Sequence, residues 1–140
     1  MPLPPNLQAQ IDELAFYEDR SDRIQALIEI GEEFTNPGSD IVPRGAENRV
    51  PGCESEVYVA SQPLGQGRKY LFAVDNPQGI SAMALARILE QGLNGAPLSQ
   101  VNEVSEDIVY TIFGRELSMG KSLGLTGMVR MAKLEAAKSS

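Results

Sequence analysis

The chain has 140 residues, 42% of them hydrophobic, with twelve Lys and Arg against nineteen Asp and Glu, giving a formal charge of −7 and a pI near 4.6. That size and apolar content predict one compact domain over residues 1–140, and the acidic balance opposes general affinity for nucleic-acid phosphates or anionic lipid. One cysteine and no histidine exclude an intramolecular disulfide, a multi-thiolate metal site, Cys-His and Ser-His hydrolases, and histidine-ligated zinc or haem. No apolar run approaches the ~18 residues of a membrane helix, and Met1-Pro2-Leu3-Pro4-Pro5 lacks a basic n-region and an h-region, so the expected location is cytoplasmic.

Leu7, Ile11, Leu14 and Ala15 share one helical face, and Asn6 is placed to cap the first turn. Ile24, Leu27, Ile28, Gly31 and Phe34 repeat the pattern, entered through Ser21 and Asp22 and stopped by Asn36-Pro37-Gly38, which predicts a helix over about 21–34. From Thr35 to Gly52 turn residues dominate; the stretch reads as a surface excursion ending in an extended segment at Asn48 to Val50. The period then changes to two. Ser55, Val57 and Val59 alternate with Glu56, Tyr58 and Ala60, and Tyr70, Phe72 and Val74 alternate with Leu71, Ala73 and Asp75, with a loop at Gln62 to Gly67 between them. The segment before Pro51 is placed to add a third strand.

Ile80 to Leu93 is apolar on nearly every side, as suits a helix buried beneath a sheet. Helical patterns follow at Ile108, Val109, Ile112 and Phe113 behind a Ser105 cap, and at Leu125, Met128, Val129, Ala132 and Ala136. The expected class is α+β, a small antiparallel sheet of about three strands packed against helices.

Val50-Pro51-Gly52-Cys53-Glu54-Ser55 sets the lone thiol directly after a Pro-Gly pair, at the tip of a tight turn between extended segments. A lone cysteine is most often a small buried hydrophobe, but this one is flanked by turn-forming and polar residues. Without a histidine, such a thiol suits attack on a sulfur–sulfur bond, which needs a thiolate and an open approach rather than a general base. Arg49 and Arg44 favour the thiolate; Glu54 and Glu56 oppose it.

Asn48-x-Val50-x-Gly52-Cys53-x-Ser55-x-Val57-Tyr58 resembles the signature of the SufE family. Upstream, Ile24-x-x-Leu27-Ile28-Glu29-Ile30-Gly31-x-x-Phe34 is similar to the family's N-terminal helix, and downstream Leu117-Ser118-x-x-Lys121-x-x-Gly124-Leu125-x-x-Met128 to its C-terminal segment, in the same order. The resemblance implies a fold shared with IscU-type scaffolds and a thiol that can shelter in an apolar pocket. It implies that Cys53 accepts persulfide sulfur from a SufS-type cysteine desulfurase, which keeps the pyridoxal phosphate, and delivers it to a SufBCD-like scaffold for iron–sulfur cluster assembly. The chain itself would then need no cofactor and no metal. It would raise desulfurase turnover as an accessory sulfur acceptor rather than as a stand-alone enzyme, acting as a monomer or weak homodimer. Arg49 and Lys121 are the candidate partner-docking residues. Lys121 stands where many members carry Arg, and Asp75-Asn76-Pro77 where many carry Asp-Ser-Asp, so a bidentate contact made by relatives would be weaker here.

Other readings of the same residues are an IscU-like scaffold, which a single cysteine opposes, a thiol-based redox protein, and an interaction domain with an incidental cysteine. Gly120-Lys121-Ser122 is not a phosphate loop, because the motif needs Gly at position 115, which is Arg115. Met83, Met128 and Met131 read as packing, Glu29, Glu32 and Glu33 as a solvated helix face, and Asp75 as a turn or capping residue.

Overall fold

A computed structural model describes residues 3–52, 56–76, 79–115 and 117–138. Two helices, α1 (Pro5–Ala15) and α2 (Arg20–Glu32), precede a hairpin of β1 (Val57–Leu64) and β2 (Gly67–Val74). Then come α3 (Ile80–Leu93), α4 (Leu98–Asn102), α5 (Ile108–Phe113) and α6 (Met119–Ala136). The class is α+β, as the periodicities predict, but the sheet has two strands rather than about three. The segment before Pro51 contributes a single bridge, Arg49 to Tyr58, because Ala46–Asn48 winds into a 3₁₀ turn and leaves no length to pair.

Local chemistry explains the element ends. Asn6 does not cap α1: the helix starts one residue earlier at Pro5, whose missing N–H costs nothing in a first turn, with Pro4 at the cap position. Asp19, rather than Ser21 or Asp22, caps α2, its Oδ1 accepting from the Ser21 N–H at 2.9 Å. Ser118 caps α6 and accepts from the Lys121 N–H. Ser105 accepts from the Asp107 N–H just ahead of α5, where Asp107 holds the cap position.

The core forms where α3 meets three neighbours. It packs on α2, on β2 and on α1, and Leu85, Ala86, Ile88 and Leu89 have no exposed surface. Tyr70, Phe72 and Val74 face it from β2, joined by Val57 and Val59 of β1. The excursion at 35–52 is not merely surface. Val42 is fully buried with Tyr58 and Ala73 on the sheet's other face, so that face is covered where the strands approach the loop after Gly52.

The hairpin pairs Val57 with Val74 and closes at Leu64 opposite Gly67. Three alternate N–H groups of β2 point away from β1 and find side-chain oxygens. Tyr70 donates to Asn94 Oδ1 at 2.8 Å, Phe72 to Glu90 Oε2 at 3.1 Å and Val74 to Asn36 Oδ1 at 2.9 Å. These bonds satisfy the outer edge of β2 and fasten it to α3 and to the segment after α2.

Candidate functional site

Cys53 lies outside the described residues, as do Glu54, Ser55 and Pro77; the chain on either side of the cysteine is described. On the entering side the Val50 N–H donates to Val57 O at 2.9 Å, and Asn48 Nδ2 donates to Val59 O at 2.9 Å. On the leaving side Glu56 O accepts from the Asp75 N–H at 2.9 Å. The segment that carries the thiol therefore springs from a base held to both strands. Gly52, the last described residue before the cysteine, is exposed and has φ +73°, a left-handed conformation that a side chain would strain.

Helix α6 supports this loop. A Cβ on Gly127 would stand 2.8 Å from Val50 Cγ1 and 3.2 Å from the Pro51 carbonyl oxygen, so only glycine lets the loop lie this close. One turn earlier Leu123 approaches Gly52, 3.7 Å from where a Cβ would stand. Leu123 and Met119, four residues apart on the helix, are 54% and 79% exposed. An apolar stripe thus lies open to water beside the cysteine's attachment point.

The two arginines that precede Cys53 in the sequence have different partners. Arg49 reaches across the loop to Glu56 at 3.7 Å, with both side chains largely exposed, so the pair is weak. Arg44 is committed to the framework: it donates to both oxygens of Asp75 at 3.0 Å and to the carbonyls of Val42 and Pro37, and it lies over the Tyr58 ring. Asn36 donates to the same carboxylate. The Arg44 guanidinium, helped by Asn36, holds the Asp75 carboxyl below its ordinary range. Asp75 is therefore the hub of a polar clamp that joins the excursion to the end of β2. Neither its residue type nor the spacing of its partners, 31 and 39 positions away, signals this in the sequence.

Lys121 lies elsewhere on α6, at the rim of a cleft of about 580 Å³. Ile24, Leu27 and Ile28 of α2, Ile80 and Ala84 of α3, and Phe113 of α5 give the cleft an apolar lining. Arg20, Ser81, Ser118 and Lys121 are its polar groups, and no acidic side chain lines it among the described residues. Lys121 and Arg49 thus occupy different settings, one in the cleft and one at the base of the thiol loop. No group of three or more His, Cys, Asp or Glu among the described residues is arranged to hold a metal ion. No helix of the described residues is long and apolar enough to cross a membrane.

Comparison with known proteins assigns this architecture. Residues 8–136 match the SufE family, described as an Fe-S metabolism associated domain. The chain belongs to the SufE family. Its relatives include an uncharacterised SufE-like protein of Rhizobium meliloti, 28% identical with 94% of each chain covered. Another, from Rhizobium etli, is 25% identical over 94% of this chain and 89% of the relative. A hypothetical protein from Thermus thermophilus, known from its solution structure, has the same fold, with a TM-score of 0.68, 20% identity and 96% of each chain covered. The SufE assignment ties this chain to iron–sulfur metabolism and gives its one cysteine a chemical context.

Proposed function

We propose that this SufE-family chain is a sulfur acceptor: Cys53 takes sulfane sulfur from the persulfide of a SufS-type cysteine desulfurase and passes it to a SufBCD-like scaffold. One observation carries the reading. The only thiol in a domain of iron–sulfur metabolism follows an exposed glycine in a tight turn, on a loop held at both ends to the hairpin.

The Cys53 thiolate attacks the outer sulfur of the enzyme's persulfide. The enzyme's S–S bond breaks, its electron pair leaves with the enzyme cysteine as thiolate, and a new S–S bond forms on Cys53. No electron is gained or lost overall, and the Cys53 proton leaves to solvent or to a base of the desulfurase. The reaction needs neither histidine nor metal on the acceptor, in keeping with a chain that has one cysteine and no histidine. The thiolate is the reactive form, and a thiol whose pKa stays near ambient pH combines enough thiolate with high nucleophilicity. With Arg49 offset by Glu56 and Arg44 drawn to Asp75, strong activation is not built into the described surroundings. Docking supplies the remainder.

The test is intact-protein mass spectrometry after incubation with a SufS-type desulfurase and cysteine. The expected result is a gain of sulfur on the wild-type chain that reductant removes and that Cys53→Ser lacks. An unchanged wild-type mass, with the desulfurase shown to be charged, would refute the acceptor role.

A further inference from the structure

Among the described residues Arg68 and Glu135 are the two charged residues that are buried, and they meet through one hydroxyl. Arg68 Nε, on β2, donates to Ser61 Oγ on β1 at 2.8 Å, and Ser61 Oγ donates to Glu135 Oε1 on α6 at 2.7 Å. The second Glu135 oxygen pairs with Lys138, just past the helix end. Apolar side chains of similar volume often serve stability as well as a buried charged cluster or better. What the cluster adds is direction, because a hydrogen bond fixes a position that apolar contact leaves free.

Helix α6 needs such a fix. Gly124, Gly127, Ala132 and Ala136 make up half of its buried face, and small side chains raise shallow ridges that resist sliding less. Its position matters most at Gly127, where the helix meets Val50 and the Pro51 carbonyl. A slip by one residue moves a helix about 1.5 Å along its axis and turns it about 100°. That would set Thr126 or Met128 where only glycine lets the loop lie. The same strand joins the two contacts, since β1 carries Ser61, which bonds α6, and Val57, which bonds Val50.

We propose that Glu135 is a positioning residue: its bond to Ser61 sets the register of α6 on the hairpin and, through Gly127, the stance of Val50 to Gly52 at the base of the Cys53 loop. This rests on the sulfur-acceptor reading and adds a distant residue on which transfer depends.

Two variants break this lock without emptying the core. Arg68→Met combined with Glu135→Leu replaces both buried charges by apolar chains and is expected to melt at or above the parent's temperature. Ser61→Ala removes only the bridging hydroxyl. Glu135→Gln keeps an acceptor for Ser61 and serves as the conservative control. In the double variant, hydrogen exchange at the Val50 N–H should accelerate about tenfold relative to that of Leu89 in α3, and single-turnover sulfur transfer from a charged, saturating SufS-type desulfurase should slow about tenfold or more. Ser61→Ala should shift both readouts the same way by about fivefold, the equivalent of one net hydrogen bond. Glu135→Gln should leave both as in the parent. If Val50 exchange keeps pace with Leu89 in both lock variants, or if transfer runs at the parent rate in both, the proposal is overturned. A parent chain that gains no sulfur from a charged desulfurase refutes the acceptor role instead, and the exchange comparison then decides the register lock alone.

Discussion

Helix α3 and the first turns of α6 both line the cleft, yet they are built on opposite rules. In α3, Ala84, Leu85, Ala86, Ile88, Leu89 and Leu93 are at most 1% exposed, and its Glu90, with Asn94 at the C-terminal cap, is paired with the edge of β2. The start of α6 leaves Met119 and Leu123 in water, sets Lys121 against the helix dipole, and spends Gly120, Gly124 and Gly127 where alanine would be about 1 kcal/mol better in an unconstrained helix. Gly127 is explained by packing, against Val50 and Pro51. One helix maximises burial; the other keeps a surface available at a cost in stability, as surfaces that meet partners do.

Four substitutions sharpen this contrast, beginning with the largest effect. Leu85→Ala empties part of the core, where α3 meets its neighbours, and should cost about 2–5 kcal/mol in urea unfolding. Stability unchanged within error would mean that α3 is not the centre of the core.

Glu90→Gln comes next. Burial raises the Glu90 carboxyl from 4.5 to about 7, against the opposing pull of the Phe72 N–H, Arg87 and Lys69. An acid that holds its proton more tightly when folded contributes most below its ordinary pKa, so the native chain should lose stability as pH rises from 4.5 to about 7 and level off above. Gln keeps an acceptor for Phe72 and cannot ionise. After discounting for partial exposure, the variant should be more stable than the parent by about 1–2 kcal/mol at pH 8, with no slope in that window. A slope that persists in Glu90→Gln would assign the titration elsewhere.

Asp75→Asn should cost about 0.5–1 kcal/mol, since its pair with Arg44 is partly exposed. The effect should concentrate at the base of the thiol loop, as faster hydrogen exchange at Val50 and Asp75 N–H. Because the folded Asp75 pKa lies below its ordinary value of 3.8, the clamp's contribution is present above that value and is lost as pH falls through the lowered one. Uniform exchange across the chain would show that the clamp does not act locally. The smallest effect runs the other way: Lys121→Glu should gain about 0.3–1 kcal/mol, read as a higher melting temperature. A loss would show that Lys121 already makes a stabilising contact in the free chain.

The periodic elements were legible in the sequence. The bounds of α3 match the apolar run from Ile80 to Leu93, and the hairpin follows the alternation at 57–60 and 70–74. Helix α4 was not legible, because Leu98–Asn102 is too short to display a repeat. The extended segment at Asn48 to Val50 suggested a strand, but the 3₁₀ turn limits it to one bridge. Count and context single out the thiol in the sequence, since a lone cysteine after a Pro-Gly pair narrows its chemistry, and Cys53 itself lies outside the described residues. The cleft was not, because its lining comes from four helices and the residues before α6, brought together only by folding. Lys121 stood out by resemblance alone, and its place at the cleft rim supplies the physical reason to examine it.

The sealed edge of β2 also limits how other chains can engage this molecule. A strand adding to the hairpin would have to displace Asn36, Glu90 and Asn94 from the N–H groups they cap. On the opposite edge, Asn48 and Val50 already bond β1, and Pro63 further along has no N–H to offer. Recruitment by β-augmentation is thereby disfavoured on both sides, as is the edge-to-edge templating that seeds aggregates. Partners are left to read side chains rather than backbone.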